Sequence, residues 1–341
     1  MRTAPPLARY RRELDEYLRS LVPDGSPQLL YQMVRYHLGW EDAEGRPDNA
    51  IGKGLRSSLC LLTCEAAGGD LRRALPAAAA VELVHNFSLV HDDIQDRDAE
   101  RHHRPTVWRV WGEAQAINAG DAVLALARLA ILKLADEGLP PQTVASAARV
   151  LDERTLEMVE GQTLDVSFED RLDVALPDYI EMIEKKTGAL FDCAFRLGGL
   201  SAGADGPLVE RLGRTGRTLG TVFQIRDDML GIWGEEADTG KPIGADIRRR
   251  KKSLPIVYAL TEARSGARDE LRVLYGKAAL DDEDVGRVLR ILEDAGVQRY
   301  CAAIAARKKN AALRELGQLE LKPRAAAELR EAAEFLLERE F

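Results

Sequence analysis

The sequence predicts an all-α fold, a single large helical bundle around a central cavity, and three observations lead there. Helical periodicity dominates the 341 residues. No run of alternating β-branched residues marks a strand. No short-period repeat and no long linker divides the chain, so residues 1–341 read as one domain of about a dozen helices.

Taken in order, a first amphipathic helix spans 7–21 and stops at Pro23, and a second spans 29–38 and ends at Gly39. Residues 45–54, with Arg46-Pro47-Asp48-Asn49 inside, read as a loop. A helix over 55–67 ends at Gly68-Gly69, and the central helix runs from about 71 to 96. An irregular charged stretch over 97–105 precedes helices over 113–137 and 142–168, which Gly138, Pro140 and Pro141 separate. Pro177 fits the first turn of a helix continuing to about 200, and Pro207 opens the next, to about 233. Residues 234–252 form a polar loop, and shorter amphipathic helices resume at Leu254.

At 45% hydrophobic the chain can bury a substantial core, and its net charge of −8 speaks against a nucleic-acid partner. Cys60, Cys64, Cys193 and Cys301 are too few and scattered for a disulfide framework, so a reducing, cytoplasmic setting is expected, and Cys60 and Cys64, which share a helical face, read as small core residues. The start of the chain goes from a Pro pair into a charged amphipathic pattern without an apolar signal region, and reads as mature and unexported. The most apolar segments, 74–90 and 122–135, are interrupted by Glu82 and His85 and by Arg128 and Lys133, which argues against a membrane span.

The central helix carries the first chemistry. His85, Ser88, Asp92 and Asp96 fall at i, i+3, i+7 and i+11, on one stripe. Asp92 and Asp96 repel one another across one turn, a liability that a divalent cation turns into a site. Val81, Leu83, Val84, Phe87, Leu89 and Val90 make the helix apolar around most of its circumference, hence buried. Buried carboxylates must be paired or bind metal. A second aspartate pair, Asp227-Asp228, ends the apolar run that begins at Phe223. Two such helices facing each other across a bundle put carboxylates at both rims of one cavity. Magnesium suits that arrangement, because it prefers oxygen ligands and is held by few carboxylates plus substrate phosphates. Basic residues lie between: Lys53 and Arg56, Arg101 and Arg104, Lys185 and Lys186, Lys241, and Arg248 to Lys252. With the aspartates they point to a polyanionic substrate clamped by metal on one side and by Lys and Arg on the other. Walker, dinucleotide and nucleophile-elbow motifs are absent.

These residues, in this order, resemble the trans-isoprenyl diphosphate synthases, or polyprenyl synthetases, over roughly 52–255. Gly52-Lys53-Gly54-Leu55-Arg56 is similar to the family's first basic motif, and His85-Asn86 with Asp92-Asp93-Ile94-Gln95-Asp96 to its first aspartate-rich region. Arg101 with Arg104-Pro105-Thr106, Glu160-Gly161-Gln162 with Asp165, Lys186-Thr187, Phe223-Gln224-Ile225, Asp227-Asp228, Gly240-Lys241, and Asp246 with Lys251 resemble the later motifs. The resemblance implies an isoprenoid-synthase-type bundle and about three Mg2+ ions, Asp92 and Asp96 holding two and Asp227 the third, with Asp93 and Asp228 in support. It implies that Arg101, Lys186 and Lys241 hold an allylic diphosphate (dimethylallyl, geranyl or farnesyl), with Lys251 nearby. Lys53, Arg56 and His85 then bind isopentenyl diphosphate, and Thr187 and Gln224 line the reacting carbons. Ionising an allylic carbon–oxygen bond needs charge stabilisation on the leaving pyrophosphate and a dry cavity for the cation. The departing pyrophosphate, on this resemblance, removes the proton.

The chain departs from the family pattern at three places. Gly231 stands where a further aspartate is usual, which predicts weaker magnesium binding there with activity retained. His102 stands where a second arginine is common; either it contacts phosphate when protonated or Arg104 covers the role. Ser57 replaces a proline with little expected consequence. Phe87, five residues before Asp92, resembles the aromatic of enzymes that make geranylgeranyl diphosphate, with farnesyl diphosphate the next expectation. On the helical wheel, however, Phe87 lies about 140° from Asp92, and an ordinary core residue reads the same way. A class I terpene cyclase leaves Lys53, Arg56 and His85 unexplained, and a non-catalytic subunit of a heteromeric synthase has only Gly231 and His102 in its favour. The family's usual homodimer makes 113–137 a candidate interface.

Overall fold

The computed structural model describes residues 5–24, 28–235 and 242–337, and they are helical almost throughout. In order come α1 (Pro5–Ala8), α2 (Arg11–Leu21), α3 (Gln28–His37), α4 (Leu55–Ala66), α5 (Leu71–Gln95), α6 (Val107–Trp111), α7 (Glu113–Leu132) and α8 (Pro141–Phe168). Then follow α9 (Leu176–Ile183), α10 (Ala189–Ala202), α11 (Gly206–Trp233), α12 (Ala245–Arg248) and α13 (Leu254–Glu262). The described chain closes with α14 (Ser265–Tyr275), α15 (Asp282–Asp294), α16 (Val297–Gly317) and α17 (Pro323–Leu337). The division is finer than the periodicity indicates because α1, α6 and α12 span only 4, 5 and 4 residues, too short to show one.

The two helices that carry the aspartates are started by capping. The Asp70 carboxylate accepts from Arg72 N at 2.9 Å to open α5, and Asp205 accepts from Leu208 N at 2.9 Å to open α11. Their apolar circumferences then bury them: α5 packs against α4, α7 and α10, and α11 against α10 and α16. One continuous apolar core runs through these helices, with Leu59, Leu83, Phe191 and Ile225 fully buried. A smaller cluster of Met33, Tyr36, Val90, Val107, Ala116 and Ala119 lies under the end of α5. All four cysteines are buried and free, and Cys60 and Cys64 are core residues as expected. Among the described residues no helix is long and apolar enough to cross a membrane.

Three local structures differ from the sequence expectation. The charged stretch after α5 contains a minimal antiparallel hairpin, β1 (Glu100–Arg101) with β2 (Arg104–Pro105), Arg101 opposite Arg104. The helix expected from 177 to about 200 is interrupted by a π turn, Glu184–Gly188, between α9 and α10. Within the expected polar loop, α12 forms a single turn.

Candidate active site

The last turns of α5 carry Asp92 and Asp93, with Asp96 as the C-cap. Acids there face the negative end of the helix dipole, so helix stability does not account for them. Burial pushes the half-buried Asp92 carboxyl up to about 6; Lys186 opposes the shift and Asp96 adds to it. Burial also raises Asp96, again with Lys186 opposing. Asp93 turns the other way, 2% exposed, and accepts from Arg101 Nε at 2.8 Å and Nη2 at 2.7 Å. It therefore fixes the Arg101 guanidinium. Among the described residues no three His, Cys, Asp or Glu side chains are grouped as a metal cage.

Lys186 stands between acids of two helices because of the π turn. Such a turn inserts a residue into the helical ladder and re-aims the side chains around it. Gly161 of α8 makes room for it, since a Cβ at 161 would lie 2.6 Å from Lys186 Cα. The Lys186 ammonium donates to Asp165; burial works against its charge, but Asp165 and Asp92 raise its pKa. Lys185, its sequence neighbour, turns outward to Glu160 and Glu181, each at 3.1 Å.

The next residue of the turn leads to the second acidic helix. Thr187 Oγ1 donates to Gln224 Oε1 at 2.8 Å, and Gln224 Nε2 donates to Asp228 Oδ1 at 3.0 Å. Asp228, fully buried, also accepts from the Tyr179 hydroxyl and from Leu254 N at 3.0 Å. Burial raises its carboxyl, while Lys251 and these donors oppose. Asp228 is an inward anchor. Asp227, partly exposed, instead lies within electrostatic reach of Arg56 and Lys251. Lys251 acts on Asp96 as well, so the acids of α5 and α11 surround one volume. Its Nζ is 3.9 Å from both Asp228 Oδ1 and Asp246 Oδ2. Lys241 lies outside the described residues.

The remaining basic groups gather beside α4. Arg56 Nη1 is 3.3 Å from His85 Nε2, its guanidinium lies over the Phe191 ring at 5.1 Å, and its buried Nε has no partner among the described residues. Burial holds His85 well below the ordinary histidine range, and Arg56 and Arg101 add to the effect, leaving a neutral imidazole. His102 is lowered by burial and then by Arg101 and Lys53, which puts it in the same basic cluster. Arg104, the alternative to His102, is committed elsewhere: it donates to the carbonyls of Glu41 at 2.8 Å and Tyr36 at 3.3 Å and stacks on the Tyr36 ring. Ser57 does have a consequence. Its hydroxyl reaches Glu82 Oε2 at 2.7 Å, opposing the rise that burial imposes on this carboxyl. A proline would leave Glu82 without that donor. Phe87 is buried against His91, rings edge to face with centroids 4.9 Å apart.

Sequence reasoning missed Tyr179 and the Ser57–Glu82 pair, for which no spacing gives a signal, and assigned no role to Asp246. Of the residues the sequence singles out, the structure sets Lys186 between Asp92 and Asp165, and links Thr187 through Gln224 to Asp228.

Comparison with known proteins gives the family of the chain. Residues 48–292 match the polyprenyl synthetase family. The chain is 40% identical to the (2E,6E)-farnesyl diphosphate synthase of Mycobacterium tuberculosis (strain ATCC 25618 / H37Rv), over 99% of this chain and 94% of that protein. It is 43% identical to the geranylgeranyl diphosphate synthase of the same strain, over 80% of this chain and 78% of that protein. The crystal structure of a polyprenyl synthetase from Streptomyces coelicolor A3(2) superposes with a TM-score of 0.90 at 36% identity, covering 98% of this chain and 99% of that one.

Proposed function

This chain belongs to the polyprenyl synthetase family and is a short-chain trans-prenyl diphosphate synthase, and from that premise we propose that it joins isopentenyl diphosphate to dimethylallyl, geranyl and farnesyl diphosphates, with geranylgeranyl diphosphate its main product and farnesyl diphosphate next. The observation that carries the residue roles is the shared volume around Lys186 and Lys251, into which α5, α8 and α11 all send carboxylates.

Magnesium fits these donors. Asp92 is a half-buried acid raised to about 6, and ammonium groups hold the charge balance that a divalent ion would otherwise supply. In this reading Asp92 and Asp96 would hold two of about three Mg2+ ions and Asp227 the third. When bound there, magnesium would supply charge neutralisation for the leaving pyrophosphate.

The chain's own groups do the rest. Arg101, oriented by Asp93, and Lys186, set by the π turn, grip the allylic diphosphate together with Lys241, and Lys251 approaches from the α11 side. Arg56, whose Nε has no partner among the described residues and whose guanidinium lies over Phe191, takes the diphosphate of the acceptor with Lys53, neutral His85 and His102. Thr187 and Gln224, locked to each other and to Asp228, face the reacting carbons, and Phe191 with Phe223, ring centroids 5.5 Å apart, helps exclude water from the cation. The released pyrophosphate takes the proton. Phe87 limits how far the product extends.

An exposed apolar face supports pairing with a second copy: Ile117, Leu129 and Leu132 on α7, and Leu156, Val159 and Val166 on α8, each 42–61% exposed. Incubation with Mg2+, isopentenyl diphosphate and each allylic diphosphate, followed by mass spectrometry, tests the reading. Extension of all three primers to the twenty-carbon product is expected. Products that stop at fifteen carbons would reject the length assignment, and no extension would reject the residue roles.

A further inference from the structure

His91 is sandwiched between Phe87 and α7. It follows Phe87 by one helical turn on α5, so both side chains lie on one face, and their rings meet edge to face at 4.9 Å and 68°. On its far side the imidazole fills the space over Gly120 of α7: a Cβ at 120 would lie 2.5 Å from His91 Cδ2. The polar edge of the ring is tethered, with Nε2 3.4 Å from the Ile117 carbonyl and 3.8 Å from Asp121 Oδ1. Phe87 is buried, so its ring can yield to a growing chain only if what stands behind it yields.

We propose that His91 is a specificity-determining residue, a brace that fixes how far Phe87 can retreat, and that Gly120 is the gap in α7 that seats the brace. This rests on the reading of Phe87 as the limit on product length. A side chain that merely filled the core would affect stability and rate, whereas a brace shifts product length in opposite directions when it is removed and when it is pushed inward.

The test measures product length by mass spectrometry with excess isopentenyl diphosphate, comparing F87A, H91A, H91F and G120A with the unmodified protein. Removing the ring in H91A shifts the distribution one isoprene unit longer, and H91F restores it. G120A drives the imidazole toward Phe87 and shifts the distribution one unit shorter. If F87A lengthens the product while H91A and G120A leave the distribution unmoved, or move it in the same direction, the brace is rejected and the role of Phe87 stands. If F87A changes nothing, the role of Phe87 falls and the brace with it.

Discussion

The carboxylate of Asp246 occupies the place that a side chain at Gly231 would take: a Cβ there would lie 2.5 Å from Asp246 Cγ and 3.0 Å from Oδ1. Gly244, at φ +75°, turns the chain, and its N–H donates to Ile232 O at 3.0 Å, laying the start of α12 back on α11. The expectation of weaker magnesium binding counts only carboxylates within the α11 motif. The fold returns one from outside it.

Removing that carboxylate in D246A should therefore raise the Mg2+ concentration for half-maximal activity by about 10-fold, the usual scale for a supporting group around a metal. G231D alone should not improve binding, because the new side chain collides with Asp246 and destabilises the protein by about 1–3 kcal/mol. The double variant G231D/D246A should recover most of the magnesium response. Titration of activity, paired with thermal stabilisation by Mg2+ and pyrophosphate, reads both effects; a double variant no better than D246A would refute the exchange.

Asp92 makes stability depend on pH. Its carboxyl stands at about 6 in the folded protein against an ordinary 3.8, so the folded state favours the protonated form. That contribution is complete below the ordinary value and is lost as pH rises through about 6. D92N, neutral at every pH, should stabilise the metal-free protein near neutrality by on the order of 1 kcal/mol after screening is allowed for. The gain should vanish in acid below the ordinary range. Denaturant titrations across that range check the sign. The same variant should lose magnesium-dependent extension, separating stability from function.

The sequence made the acidic helices legible because an apolar circumference ends there in two like charges one turn apart, Asp92 and Asp96, an arrangement that a cation beside them would relieve. It made the basic cluster legible in part, since Arg104 and Lys185 share the composition of Arg101 and Lys186 and differ only in tertiary commitment. The π turn left no trace, because Lys185, Lys186 and Thr187 suit an ordinary helix and the widening follows from packing on Gly161. The hairpin is too short to alternate, with two residues in each strand. Asp246 was out of reach for a third reason: its closeness to Gly231 depends on how a polar loop folds back.

Tyr179 holds the buried end of the second acidic helix. Its hydroxyl donates to Asp228, whose carboxylate has no exposure and accepts from Gln224 and Leu254 as well. Y179F leaves that carboxylate one donor short, which should destabilise the protein by about 1–3 kcal/mol. Because Asp228 also fixes Gln224 and through it Thr187, kcat should fall more than KM for isopentenyl diphosphate rises. Urea unfolding and steady-state kinetics on one preparation test both; unchanged stability would show the hydroxyl contact to be dispensable.

The turn of the hairpin stores strain in the two histidines. His102 and His103 have φ of 53° and 61°, the left-handed region that a two-residue turn of this hand requires and that favours Asn or Gly. His102 borders Arg101 and Lys53, which ties it to the acceptor diphosphate in the proposed reading. His103 has no such assignment, so it is the position to relieve. H103G should leave stability nearly unchanged, since the strain removed is comparable with the entropy that glycine adds to the unfolded chain, whereas H103N, which tolerates the left-handed region without that entropy, should stabilise the protein by about 0.5–1 kcal/mol. H102N should instead raise KM for isopentenyl diphosphate, most at acidic pH, where a protonated His102 meets phosphate in the unmodified protein. Thermal unfolding of the residue 103 variants and KM against pH for H102N separate a strained turn from a binding one. If H103N lowers the melting temperature, the side chain at 103 does more than occupy the turn.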